Sequence, residues 1–126
     1  MKTLKVETGR PYDIIIEKGI IENCGEYIKK VSKAFKVAVI SDTNVFPIYG
    51  EKVISSCKAA GFETCCFTFE AGEHSKNLST VSKMYDFLAE NHLTRKDLIV
   101  ALGGGVTGDM AGFAAATFLR GIPFFT

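Results

Sequence analysis

An α/β domain with a mostly parallel sheet flanked by helices is predicted by three features of the sequence. Short apolar runs alternate with stretches of helical periodicity, brief turns separate them, and glycines fall at the ends of both kinds of element. Near the start, residues 4–6 and 12–17 read as strands, and Gly19 marks a break before the first helix. Ile20, Ile21, Cys24, Tyr27, Ile28 and Val31 then recur at the spacing of one helix face. Lys36–Asp42 is an apolar run of the kind covered on both sides of a sheet. Asp42 and Asn44 stand where a helix cap belongs and Pro47 suits a first turn. The helix they introduce carries Ile48, Val53, Ile54 and Cys57 and is expected to stop at Gly61. Residues 64–70 form the next strand, and Leu78, Val81, Met84, Tyr85 and Leu88 line the next helix. A buried strand over 97–102 ends in Gly103-Gly104-Gly105, a last helix is predicted over about 106–119, and 122–126 opens one more strand.

Composition bounds the function. A chain of 126 residues, 47% hydrophobic, suits a single domain, 1–126. Fifteen basic and fourteen acidic side chains leave a net charge of +1, which argues against a nucleic-acid partner. No run approaches the roughly 18 apolar residues of a membrane span. The first residues break their apolar content with charge and a Gly-Arg-Pro turn, unlike a secretory signal. Cys24, Cys57, Cys65 and Cys66 make no Cys-x-x-Cys pair, and Cys65 and Cys66 must point to opposite faces of a strand. Reduced thiols in the cytoplasm are expected. His74 and His92 lack the spacing of a metal pair, so no metal site is expected within the chain. The sequence stops inside an apolar strand, which reads as a truncated piece of a longer protein.

Ligands of open parallel sheets bind at the carboxyl ends of the strands. Three segments are expected to meet there: Asp42 to Asn44, Ala71 to Lys76, and Gly103 to Asp109. Three glycines after a strand let backbone approach a ligand closely, and the helix behind them presents free N–H groups and the positive end of its dipole, a seat for a diphosphate. Gly103 and Gly108 have the glycine spacing of a triphosphatase loop, but Asp109 stands where its lysine belongs, which disfavours a terminal phosphate. A dinucleotide fits better: its diphosphate is internal, Asp42 and Glu73 can accept ribose hydroxyls, and Lys76 can meet a phosphate or ribose oxygen. Simpler readings stand beside each of these. The triple glycine can be a tight turn, Asp42 a helix cap, Glu73 and Lys76 an exposed ion pair, and His74 a solvated loop residue.

Together the segments resemble 3-dehydroquinate synthase. The stretch that carries the resemblance is Gly103-Gly-Gly-Val-Thr-Gly-Asp-Met-Ala-Gly-Phe-Ala-Ala-Ala-Thr-Phe-Leu-Arg-Gly-Ile-Pro-Phe124, supported by Ser41-Asp-Thr-Asn44 and Gly72-Glu-His-Ser-Lys76. The resemblance covers the whole chain but only the N-terminal, cofactor-binding part of the family. It implies a Rossmann-like three-layer domain without the family's C-terminal helical domain. It also implies an NAD-dependent lyase of the shikimate pathway, leading to chorismate and the aromatic amino acids. That lyase converts 3-deoxy-arabino-heptulosonate 7-phosphate to 3-dehydroquinate and phosphate.

By the same resemblance, Asp42 and Asn44 hold the adenosine end of NAD. Glu73 and Lys76, with the backbone of Ala71, Gly72, His74 and Ser75, meet its ribose and diphosphate. Gly104, Gly105, Val106, Thr107, Gly108 and Asp109 cradle the diphosphate and nicotinamide half. Arg120 matches an arginine that reaches the sugar-phosphate substrate of a neighbouring subunit in a homodimer; its simpler reading is a cation at a helix end. The ligands of the divalent metal, zinc or cobalt, belong to the part of the family beyond Thr126, as do the catalytic groups. The chain alone is therefore expected to lack synthase activity and to bind NAD weakly. Related readings are other sugar-phosphate cyclases, a nucleotide-binding module without catalysis, and the glycerol and iron-type alcohol dehydrogenases. The last usually continue their glycine loop as Asp-x-Ala-Lys, where this chain has Asp109-Met-Ala-Gly112.

Overall fold

The computed structural model describes residues 2–6, 12–16 and 20–125. The expected Gly-Arg-Pro turn, the strand end at Glu17, the break at Gly19 and the final Thr126 lie outside the described residues. Strands β1 (Lys2–Val6) and β2 (Tyr12–Ile16) pair antiparallel as a two-stranded sheet, with Lys2 opposite Ile16. Then come α1 (Cys24–Val31), β3 (Lys36–Asp42), α2 (Glu51–Ala59), β4 (Glu63–Phe69), α3 (Leu78–Glu90), β5 (Leu98–Leu102), α4 (Gly105–Thr117) and β6 (Phe124–Phe125). Strands β3 to β6 form a second sheet in the order β4-β3-β5-β6, parallel throughout.

Alternation along the strands builds two cores. Val37, Val39, Leu98 and Val100 face Ile28 of α1 and Val53 and Cys57 of α2. Ala38, Ile40, Ile99 and Ala101 face α3 and α4, where they meet Met84, Leu88, Ala111 and Ala114. Helices thus cover both sides of the sheet, giving the expected three layers. Ile40, Met84 and Leu88 are fully buried, each contributing about 1.5–3 kcal/mol of transfer free energy. Cys65 sits on the α3/α4 side and Cys66 is exposed, as the alternation requires.

The element ends differ from the sequence reading in several places, the strands by one or two residues. The first helix opens with a 3-10 turn at Ile20–Asn23 and becomes α-helical only at Cys24. The entry to α2 is a π-helical turn over Phe46–Gly50, in which the Phe46 ring lies on Gly50 where a Cβ would be 2.4 Å away. The last helix ends at Thr117, not Leu119. Leu119 turns left-handed (φ 50°, ψ 32°), and Ile122 N–H donates to the Ala115 carbonyl at 2.6 Å to close the end. Gly61 (φ 98°) does end the second helical segment, with Phe62 N–H donating back to the Cys57 carbonyl at 3.0 Å. Asp97 is not a ladder residue. Buried, it accepts the Lys36 N–H (3.0 Å), the Thr94 N–H (2.8 Å) and the Thr94 hydroxyl (3.0 Å), joining the starts of β3 and β5. No helix among the described residues is long and apolar enough to cross a membrane.

Candidate functional site

Because β3, β4 and β5 run parallel, the segments after them emerge at one edge of the sheet, and side chains tie them together. The Ser41 hydroxyl donates to the Leu102 carbonyl at 2.7 Å, holding the ends of β3 and β5 side by side. Thr43 N–H donates to the Phe69 carbonyl at 3.0 Å, and its Oγ1 accepts the Ala71 N–H at 3.0 Å, which fixes the turn after β3 to the loop after β4. The Thr107 hydroxyl donates to Asp42 Oδ2 at 3.4 Å, and Lys76 Nζ donates to Asp109 Oδ2 at 2.9 Å. All three predicted segments therefore converge.

Asp42 caps its own turn with one oxygen and meets Thr107 with the other. Its Oδ1 accepts the N–H groups of Asn44 (2.9 Å) and Val45 (2.8 Å), as a turn-capping carboxylate does. Its Oδ2 faces Thr107 and the glycine turn. Asn44 is exposed on that same turn.

The three glycines have different reasons to be glycine. Gly103 has φ 152°, and a Cβ there would lie 2.7 Å from Thr107 Oγ1, so the turn itself demands glycine. Gly104 has an ordinary backbone (φ −87°, ψ −160°), and a Cβ there would meet nothing within 4 Å. The same open space lies at Gly105. The tight-turn reading thus accounts for the first glycine and leaves the next two facing empty space at the start of α4. Gly104 caps that helix with no side-chain acceptor, and Gly108 N–H makes the first helical bond, to the Gly104 carbonyl at 3.0 Å. The N–H groups of Gly105, Val106 and Thr107 have no acceptor within the helix, and they sit at the positive end of its dipole. The residues present fit an anion approaching along the bare backbone.

Of the remaining predicted residues, Val106 packs on the core and Thr107 is buried, so both offer the site their backbone only. Lys76 is exposed, and its pKa is raised by the hydrogen bond and charge of Asp109 and by the charge of Glu73. The ion pair that forms is Lys76–Asp109, not the Glu73–Lys76 pair considered from the sequence. His74 Nε2 lies 3.4 Å from Glu70 Oε1, both side chains well exposed, an arrangement that contributes little. Ser75 is buried and its hydroxyl donates to the Glu70 carbonyl, shaping the loop from Ala71 and Gly72 onward. Arg120 ends the 3-10 turn after α4, and its side chain lies outside the described residues. Sequence reasoning missed the struts Ser41 and Thr43; the signal was the run of hydrogen-bonding side chains from Ser41 to Asn44, placed where a strand ends. Among the described residues no three His, Cys, Asp or Glu side chains gather as they would to hold a metal ion.

Residues 66–126 match the family of 3-dehydroquinate synthase N-terminal domains, and a 3-dehydroquinate synthase of Streptococcus thermophilus is 54% identical over 114 residues. Over its second half the chain is thus similar to the N-terminal domain of that family. Another 3-dehydroquinate synthase, from Streptococcus mutans, is 51% identical over 115 residues. These alignments take in 90–91% of this chain and 32% of each synthase, so the chain spans about a third of the length of the curated relatives it matches. Among solved structures, 2-deoxy-scyllo-inosose synthase complexed with carbaglucose-6-phosphate, NAD+ and Co2+ superposes with a TM-score of 0.88. That match is 27% identical and covers 98% of this chain and 34% of the other. The stretch shared with the synthase family model contains the loop from Ala71 to Lys76 and the glycine turn, while Asp42 precedes it.

Proposed function

We propose that this chain supplies the NAD-binding part of a 3-dehydroquinate synthase, a carbon–oxygen lyase of the shikimate pathway. The reaction takes 3-deoxy-arabino-heptulosonate 7-phosphate to 3-dehydroquinate and phosphate. NAD contributes a transient oxidation of a substrate hydroxyl, which acidifies the neighbouring C–H bond before phosphate leaves. The chain's own residues bind and orient. The open N-terminus of α4 behind Gly104 and Gly105 is the observation that carries the reading, since no side chain caps it and a Cβ at either glycine would meet nothing within 4 Å. Asp42 Oδ2 and Asn44 take the adenosine side, Glu73 and Lys76 the ribose and diphosphate, and the backbone from Gly104 to Asp109 the remainder. Arg120 reaches the substrate phosphate across a homodimer. The divalent metal, zinc or cobalt, is held by residues outside this chain, and the enzyme works in the cytoplasm.

A second reading is another sugar-phosphate cyclase, supported by the close superposition on 2-deoxy-scyllo-inosose synthase. Sequence identity favours the first, at 54% against 27%. Two measurements test the proposal. Titrating the chain with NAD, ADP-ribose and ATP, monitored by amide chemical shifts, is expected to move the residues around Gly104 with the two dinucleotide-derived ligands in preference to ATP. A preference for ATP overturns the dinucleotide site. A phosphate-release assay with the heptulosonate phosphate and zinc is expected to show no turnover by the chain alone. Turnover at ordinary enzyme rates would mean that the catalytic groups lie within these residues.

A further inference from the structure

Away from the nucleotide edge, α1 and α2 meet at close range beneath two cysteines. The Gly25 N–H donates to Ser56 Oγ at 2.9 Å. A Cβ on Gly25 would lie 2.2 Å from the Ser56 carbonyl oxygen and 2.8 Å from the Cys57 nitrogen, so the two backbones touch here and only glycine permits it. Cys24, the neighbour of Gly25, sends its sulfur to within 4.0 Å of the Val53 carbonyl. Val53 is one helical turn before Cys57 and shares its face of α2. Cys24 and Cys57 join the same packed cluster, Cys57 fully buried and Cys24 half-exposed. Neither takes part in the proposed nucleotide site.

We propose that Cys24 and Cys57 form a peroxide-responsive dithiol that closes reversibly to a disulfide between α1 and α2. The chemistry divides by exposure. The Cys24 thiolate attacks one peroxide oxygen, breaking the O–O bond, and becomes a sulfenic acid as hydroxide leaves. The Cys57 sulfur then attacks Cys24 as its S–H bond breaks, the S–S bond forms, the S–O bond of the sulfenic acid breaks, and its hydroxyl departs as water with the proton that Cys57 gave up. Two thiols and one hydrogen peroxide thus yield one disulfide and two waters, and an external thiol reverses the step. The buried thiol needs no contact with solvent, because Cys24 packs against the same cluster, with its sulfur one helical turn away along the Cys57 face of α2. The pairing also prepares the attacking group. The Cys24 pKa is lowered from 9.0 to about 7, chiefly by the neighbouring Cys57 thiol and against the opposing effect of burial, with Ser56 and the backbone at Gly25 assisting. The neighbouring Cys24 and burial push Cys57 upward, so Cys24 is the thiol that meets peroxide first and Cys57 attacks only as it gives up its proton.

The four cysteines separate on tryptic digestion: Cys24 lies in the peptide 19–29, Cys57 in 53–58, and Cys65 with Cys66 in 59–76. Treating the native chain with a small excess of hydrogen peroxide near neutral pH, then alkylating and digesting without reductant, is expected to yield 19–29 linked to 53–58. Two of the four thiols are lost, and dithiothreitol restores both. Cys24→Ser abolishes the cross-link at a half-exposed position, with the fold checked by circular dichroism. Cys57→Ser leaves a Cys24 sulfenic acid that dimedone traps. A Cys65→Ser, Cys66→Ser double variant cross-links as the native chain does. Linkage through 59–76, a Cys24 sulfinic acid without cross-link, or peptides 19–29 and 53–58 that remain fully alkylated would each overturn the proposal.

Discussion

Gly104→Ala separates a glycine kept for the fold from one kept for a ligand. The residue's own φ of −87° suits alanine, and the added methyl meets no atom within 4 Å. Its effect on stability combines a gain of about 0.4–1 kcal/mol from a stiffer unfolded chain with a similar loss from replacing glycine at the cap, so the net is within about 0.5 kcal/mol. For a diphosphate the methyl stands in the approach to the N–H groups of α4. Displacing one charge-assisted hydrogen bond costs about 1.5–3 kcal/mol, or roughly 10- to 150-fold in affinity. Gly103→Ala is the control. Its methyl would sit 2.7 Å from Thr107 Oγ1 at φ 152°, so backbone strain and overpacking together cost about 2–5 kcal/mol. At several degrees per kcal/mol for a domain of this size, the melting midpoint falls by about 10 °C or more. Thermal unfolding by circular dichroism and an NAD titration by amide shifts, run on both variants, read the two effects apart. A folded Gly104→Ala that binds NAD as tightly as the native chain would refute the argument, because the loop would then be only a turn.

Two further variants probe what surrounds the glycines. Lys76→Met is expected to move the melting midpoint little, since the pair with Asp109 is exposed, while NAD binding weakens several-fold and loses part of its salt dependence; unchanged affinity and salt slope would remove Lys76 from the site. Because pairing raises the Lys76 pKa, its contribution is complete below the ordinary lysine range and fades only as pH climbs through the raised value, so the native and Lys76→Met midpoints should keep a constant difference across neutral pH. Asp97→Ala strips three donors of their buried acceptor at the amino ends of β3 and β5 and is expected to cost about 2–4 kcal/mol. Equal melting midpoints for the variant and native chains would show that water replaces the carboxylate without penalty.

The layers and the sheet were legible because they rest on periodicity. Residues 37–40 alternate between two apolar cores, a pattern that hydrophobic content alone reveals. Element ends were less legible. Nothing in the composition of Phe118-Leu119-Arg120 announces a left-handed leucine, because that conformation is imposed from outside the segment, by the bond from Ile122 N–H to the Ala115 carbonyl. Partners across the site were also hidden. Lys76 and Glu73 share one loop, so a local pair was the natural reading, yet the partner that tertiary packing brings is Asp109 from α4. Two side chains far apart in sequence become neighbours only once β4 and β5 are placed on either side of β3.

The glycine turn shows why a site of this kind is partly written in the sequence and partly not. Gly103 must be glycine because the Thr107 side chain occupies the space a Cβ would need. Thr107 is there because its buried hydroxyl has an acceptor in Asp42 Oδ2. Asp42 holds that position because its other oxygen caps its own turn. Each link answers to the protein's own packing, and the chain of reasons stops at Gly104 and Gly105. Their missing side chains relieve no clash and fit no left-handed backbone, so packing within the polypeptide gives no reason for them. A reading of glycine counts treats all three alike. The structure divides them, and the two without an internal reason are the ones on which the proposed ligand site rests.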